Sequence, residues 1–559
     1  MKKKLVVVAV ITAMTSIFVF CKNDQDIDQP KNEVEIQADT VWRLLPYVVN
    51  LKDGIKNFAE CPEYTNTPFP ALPWSAKTKY AEGAIRSNEG NLFKCVNKGE
   101  SSDTGPSQRI SGIKDGTVTW DFLKTDKDIW KKNTVYETGS YITNQGYLYV
   151  ATTSGESAPT GNGPNGDSHT IQDGSVVWAS VKLKWIDALN GKSSNSGNST
   201  EDPLDLVPYS IEAYTHYQVA AGSVFQYDVL YNNKTVNVSN PWMSVTVYDR
   251  STGNEISDQP SPYLRALECK WVTQEEINTK YFSFICNCDK MVDVDIPWVA
   301  SFGGKIPANS QFRLRGAYMK GFNIGAVVAG TGGWWDVSDC ILIDNKQIQT
   351  TEVAGFGIRL EGETTGGSHR FTRIFISGSG EDAIWAAKAT DRATSWLFAE
   401  SAIHHRPETI MSGSHTDCIQ FGKTPGNLRI KRVVMEHDLS VVRNSDGHQP
   451  IGAAIISHDD DTSSGTEDWE ISDCIIVTNN QGTNFYGSSS GVGFQRNVFA
   501  VLQDPIINGP AYLHIFNKAC SLTDCVNVSG GNSEYNVSLY PRVKPTLINC
   551  TEITGIVYP

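Results

Sequence analysis

Side chains able to hold or move a proton crowd one short stretch of this chain. GSHTDCIQFG, residues 413–422, sets His415, Asp417 and Gln420 within six positions. A second acid, Asp382, stands in the related stretch GEDAIWAAK, residues 380–388. Four such stretches, GFGIRLEG, GEDAIWAAK, HTDCIQFGK and IGAAIISHD, align on Ile358, Ile384, Ile419 and Ile455, with spacings of 26, 35 and 36 residues. With each isoleucine inward on a strand, the next residue points outward, giving an outer column of Arg359, Trp385, Gln420 and Ile456. Asp382 and Asp417 then lie on neighbouring strands, about 4.8 Å apart in backbone. Carboxylates that close repel, and one pKa rises unless a cation intervenes. The pair fits three roles: acid and nucleophile of a glycosidase, part of a calcium site, or turn caps.

More candidates surround that pair. HHR (404–406) precedes it, RIKRVVMEHD (429–438) supplies Arg429, Lys431 and Arg432, and SHDDD (457–461) ends a strand with His458, Asp459, Asp460 and Asp461. Residues 380–461 hold six of the ten histidines, at 404, 405, 415, 437, 448 and 458, and histidine is the side chain suited to proton transfer near neutral pH. The candidate catalytic set is therefore Asp382, His415, Asp417 and Lys431. Candidate saccharide contacts are Arg359, Trp385, Gln420, Lys423, Arg429 and His458, with Asp459–Asp461 as candidate calcium ligands.

These residues need a scaffold that stacks distant segments. WDVSDCILIDN (335–345) returns as WEISDCIIVTN (469–479), with weaker copies SLTDCVNVSG (521–530) and TLINCTEIT (546–554). Short β-branched strands recurring in this way predict the rungs of a parallel β-helix over 296–559, in which each rung buries its apolar side against the next. Cys340, Cys474, Cys525 and Cys550 occupy matching positions and read as stacked buried thiols. Cys269 is placed to meet Cys286 or Cys288 across a hairpin. Residues 205–295 alternate in short strands and read as a β-sandwich-like or cap domain.

The periodic segment resembles the pectate-lyase-like right-handed parallel β-helix superfamily. That resemblance implies two chemistries on polysaccharide. Lyases neutralise a uronate carboxylate with calcium or arginine and remove the C5 proton with lysine, arginine, histidine or tyrosine, whereas hydrolases use carboxylates as acid and base. The NTD, DD and GHG motifs of the polygalacturonases are absent, and the basic run suits an anionic sugar, so a lyase is favoured over a hydrolase. The competing expectation is a non-catalytic glycan-binding protein or an adhesin.

Upstream, WSAKTKYAEGAIRSNEGNLFKCVNKGESSDTG (74–105) repeats as WKKNTVYETGSYITNQGYLYVATTSGESAPTG (130–161), and DGTVTW (115–120) as DGSVVW (173–178). The repeats, 73–125 and 129–185, resemble small chitin- and cellulose-binding modules. Their aromatics, Trp74, Tyr80 and Trp120 in the first and Trp130, Tyr136 and Trp178 in the second, are candidate sugar contacts. They are also the core of a unit with little else to bury, so most of the tryptophans are expected inside. NGKSSNSGNSTEDP closes the region as a polar linker over 186–204.

The chain opens MKKKLVVVAVITAMTSIFVFC. A basic start and an apolar run from Leu5 to Phe20, short of the roughly 20 residues a membrane span needs, match a signal peptide over 1–21. Cys21 after that run resembles the lipid-modified cysteine of bacterial lipoproteins, although Phe20 stands where a small residue is usual. Residues 22–72 then read as a tether. This implies a surface protein on the outer membrane, or a secreted one, with polysaccharide and glycan-import machinery as partners. A net charge of −14 over 559 residues argues against nucleic acid, which requires a basic footprint.

Overall fold

The computed structural model describes residues 42–50, 69–227, 235–286, 300–329, 332–343, 357–360, 367–378, 382–386, 395–406, 416–421, 427–439, 452–458, 468–486, 492–502, 512–516, 521–530 and 546–554. The chain is all-β apart from short helices.

From Thr215 onward the chain coils, and each turn lays down up to three strands that pair in parallel with those of the next turn. Face A runs through Thr215–Ala220, Met243–Tyr248, Gln311–Arg315, Trp334–Ser338 and on to Thr546–Ile548. Face B runs through Val224–Tyr227, Phe282–Cys286, Ala317–Lys320, Ile341–Ile343 and on to Thr551–Thr554. Face C is a nine-stranded parallel sheet from Thr235–Asn237 to Tyr512–Phe516. Alternation along each strand sends one set of side chains inward, and these stack in register. Val337, Phe371, Phe398, Ile430 and Ile471 form one interior column on face A, and Ile358, Ile384, Ile419 and Ile455 form another on face C. All belong to one continuous core, each apolar side chain contributing roughly 1.5–3 kcal/mol.

The parallel pairing of Thr215–Ala220 with Met243–Tyr248 makes residues 215–248 the first turns of the coil. These residues thus belong to the coil and not to the separate β-sandwich-like or cap domain expected over 205–295. An insertion between Tyr248 and Phe282, carrying helices Pro262–Leu267 and Gln274–Lys280, hides the period at that point. Cys269 in the insertion is a free thiol, so the bridge expected to Cys286 or Cys288 is not made; Cys286 lies within the coil's core. Cys340, Cys474 and Cys525 are buried at matching positions, as the repeated motif requires.

The corner between faces A and B repeats one backbone device. Its residue has φ between 52° and 57° at Asp339, Arg373, Glu400, Arg432, Asp473, Arg496, Asp524 and Asn549, with Gly316 in the same place one turn earlier. Left-handed backbone is unfavourable for side chains other than Gly, Asn and Asp. Here the corner alternates acid and base from Asp339 to Asp524. Arg373 pairs with Asp339, Arg432 with Glu400 and Arg496 with Asp473. The insertion covers this corner: the Arg432 guanidinium lies 4.8 Å from the centre of the Tyr263 ring, and Ser261 Oγ donates to Glu400.

Residues 42–50, inside the stretch expected to be a free tether, are bound to face B. The backbone N–H groups of Arg43, Leu44 and Leu45 all donate to the buried Glu436 carboxylate, at 3.0, 2.9 and 2.7 Å. Trp42 stacks on Trp271 of the insertion at 5.3 Å.

Each repeat is a four-stranded antiparallel sheet with a two-stranded ribbon. In the second repeat the last strand, Val176–Ile186, runs on to pair in parallel with Thr215–Ala220, so it also starts face A. The expected linker is no free spacer: Leu204 N–H donates to Trp185 O, and Lys184 Nζ to Ser196 O.

Candidate functional site

The register of face C places Arg359, Trp385, Gln420 and Ile456 in one outer column, as the isoleucine alignment requires. The first three are half-buried and Ile456 is closed off. The Arg359 guanidinium sits over the Trp385 indole, 4.9 Å from its centre. A flat indole beside a guanidinium and an amide offers a stacking surface flanked by hydrogen-bond donors and an acceptor.

Asp382 and Asp417 stand on neighbouring turns, but both are buried. Asp417 N–H donates to Asp382 Oδ1 at 2.8 Å, and Ala453 N–H to Asp417 Oδ1 at 2.5 Å. Each carboxylate thus clasps the backbone of the following turn, which is the turn-capping role among the three that fit the sequence. Among the described residues, then, the expected acid–nucleophile pair is closed off from solvent.

Lys431 is separated from that pair. It lies on the outer side of face A, where its Nζ is 2.8 Å from Glu470 Oε2, and Arg429 Nε is 3.5 Å from the same oxygen. Burial alone would raise the Glu470 carboxyl, but hydrogen bonds from Lys431 and Ser472 and the charges of Lys431 and Arg429 hold it below its ordinary range.

The histidine concentration has a structural use. His405 and His437 point inward and stack 5.5 Å apart with parallel rings. Burial pushes His437 down to about 4, and it bridges Thr416 O at 2.8 Å and Thr478 Oγ1 at 3.2 Å. His404 lies between Ser377 Oγ (3.1 Å) and Glu436 Oε1 (3.2 Å), enclosed by Trp42 and Trp271. The coil therefore does use histidine in its core. His458 ends a face C strand opposite Tyr486. His415, Lys423, Asp459, Asp460, Asp461 and Cys21 lie outside the described residues. Among the described residues no group of three or more His, Cys, Asp or Glu is placed to hold a metal ion.

In the repeats, the aromatics divide by depth. Trp120 and Trp178 are wholly interior, with Tyr80 and Tyr136 packed edge-on against them at 5.0 and 4.8 Å. Two indole N–H groups converge on one aspartate in each unit: Trp74 and Trp120 on Asp115, and Trp130 and Trp178 on Asp173. Trp120 and Trp178 therefore serve the core and not a ligand, while Trp74 and Trp130 are half-buried. Sequence reasoning missed the two aspartates, though a buried indole N–H requires an acceptor and each DG…W motif carries one.

No family model and no curated protein matches this sequence. Among solved structures, the crystal structures of a GH136 lacto-N-biosidase from Eubacterium ramulus are similar at a TM-score of 0.30 and 9% identity. The native protein aligns over 67% of this chain and the selenomethionine derivative over 66%, each over 68% of its own length.

Proposed function

We propose that this protein handles polysaccharide at the cell surface and that the outer column of face C is its saccharide track. The observation that carries the reading is the half-buried Trp385 with the Arg359 guanidinium over its ring, in register with Gln420. Sugar rings stack on such an indole through their C–H faces while their hydroxyls meet the polar neighbours. Chemistry on the bound glycan is assigned to elimination in preference to hydrolysis. The carboxylates hydrolysis would use are buried in backbone clasps, whereas Arg359 supplies the positive charge that a uronate requires. The base is assigned to His415, five residues before Gln420 in the chain. Membrane attachment is assigned to a lipid on Cys21.

A screen of the full-length mature protein over a polysaccharide panel tests this, following absorbance at 235 nm and new reducing ends. Elimination on a uronic-acid glycan, lost in Trp385→Ala and in His415→Ala, is the expected result, and an EDTA arm reports any need for calcium. Reducing ends without absorbance would assign hydrolysis instead. The burial of Asp382 and Asp417, with Lys431 tied to Glu470, favours a second reading, a non-catalytic surface protein that presents glycan to import machinery. Binding weakened in Trp385→Ala, with no turnover on any glycan, would select it. Unchanged binding and turnover in Trp385→Ala would end the assignment of face C.

A further inference from the structure

Each repeat has a cleft beside its recurring tyrosine, and the two clefts differ at one buried position. In the second repeat a cleft of about 330 Å³ is lined by Thr134, Tyr136 and Ile142, with Lys127, Asp128, Lys131 and Arg313 supplying its charges. In the first, clefts of about 400 and 610 Å³ share Lys79, Tyr80, Arg86, Glu100, Thr200 and Glu201. The constant 56-residue offset makes Arg86 the counterpart of Ile142, and the strand registers Ile85–Asn88 and Tyr141–Asn144 agree.

Arg86 is only 7% exposed. Its guanidinium lies 5.3 Å from the centre of the Tyr80 ring, and Nη1 donates to Ile85 O (2.7 Å) and Asn254 Oδ1 (3.4 Å). Among the described residues no carboxylate pairs with it; burial holds its pKa down, and only Tyr80 and Cys95 oppose that effect. A buried charge ordinarily has a counter-charge. Of the two acids that line the clefts, Glu100 and Glu201, Glu201 is engaged by Lys79 at 3.2 Å, and Arg250 is engaged by Asp187 at 2.8 Å. Lys98 also lines the opening, and Lys77 there pairs with Asp103 at 3.0 Å. Hydroxyls of Ser75, Thr78, Ser199 and Thr200 line the same space.

We propose that the cleft of the first repeat is a binding site for an acidic saccharide, with the sugar's anionic group, a carboxylate or a sulfate ester, completing the charge of Arg86 and its hydroxyls meeting the serine and threonine wall. The saccharide identity rests on the proposed function, whereas the anion preference rests on Arg86 alone. The second repeat has Ile142 in place of the arginine and lacks this buried charge.

The test is calorimetry on the full-length mature protein carrying Trp385→Ala, which removes face C from the signal. The probes are tetragalacturonate, a sulfated tetrasaccharide, an uncharged galactose tetramer and inorganic sulfate. At least one acidic tetrasaccharide is expected to bind more tightly than the uncharged one, more weakly as salt rises, with affinity falling at least tenfold in Arg86→Gln and partly restored in Arg86→Lys. Thermal melts should show both variants folded, and Tyr147→Phe at an exposed position of the second repeat should leave binding unchanged. Equal binding of charged and uncharged tetramers, or full affinity in Arg86→Gln, would overturn the proposal. Arg86-dependent binding of sulfate with no gain from the sugar would overturn its saccharide part. Failure here leaves the face C result standing, because that result is read at Trp385 in the otherwise unchanged protein.

Discussion

Two buried arginines of this molecule each lie beside a tyrosine ring, and they are resolved in opposite ways. In the coil, Arg432 faces Tyr263 and pairs with the buried Glu400. In the first repeat, Arg86 faces Tyr80 with no acid among the described residues. The coil satisfies its internal charges within the chain, turn against turn. The first repeat holds one ready for something outside, and the second repeat, with isoleucine at that position, shows that the module's fold does not require the charge. A buried ion that is paired reads as architecture, and one left unpaired beside a cleft reads as recognition.

The sharpest test of that contrast is to unpair the coil's arginine. Glu400→Ala leaves Arg432 buried without its counter-charge and should cost about 3–5 kcal/mol, measured by denaturant unfolding; a loss below about 1 kcal/mol would show that the two arginines are equivalent. The Asp417 clasp comes next. Asp417→Ala strands the Ala453 N–H and should cost about 2 kcal/mol, while Asp417→Asn keeps an acceptor oxygen and should cost less. Acid should then separate the coil from the repeats. His216, His369 and His437 are pushed by burial down to about 3, 4 and 4. They stay neutral in the folded chain while the unfolded chain takes up protons below about 6.5. Stability is therefore lost as pH falls from about 6.5 toward 4, by at most about 1.4 kcal/mol per pH unit for each histidine. Hydrogen exchange at pH 4.5 should show amides of the coil opening ahead of those near Trp120 and Trp178. The smallest effect has the opposite sign: Arg86→Ile should raise stability by about 1 kcal/mol while abolishing acidic-saccharide binding, read from a thermal melt beside the calorimetry.

The register of face C was legible because inward isoleucines recur on four successive turns, and the same alignment places Asp382 beside Asp417. What those carboxylates do was not legible. Their partners are backbone amides 35 and 36 residues further on, and no local pattern reports a bond of that span. The first turns of the coil were hidden for a related reason: the insertion of residues 249–281 separates faces A and B within one turn, so 215–248 shows alternation but no period. The charged corner was half-visible. The Asp–Cys pairs at 339–340, 473–474 and 524–525 drew notice for their cysteines, yet the residue before them, continued by Arg373, Glu400, Arg432 and Arg496, is what the backbone constrains.

That corner gives the coil a parity. A single turn gained or lost would set like charges against each other at a spacing of about 4.8 Å, whereas two adjacent turns inserted together would leave every pair intact. The solenoid can thus lengthen by even steps without rewriting its edge. A strand that docks one turn out of place during folding meets repulsion at each remaining corner, so the alternation also counts turns as the chain winds.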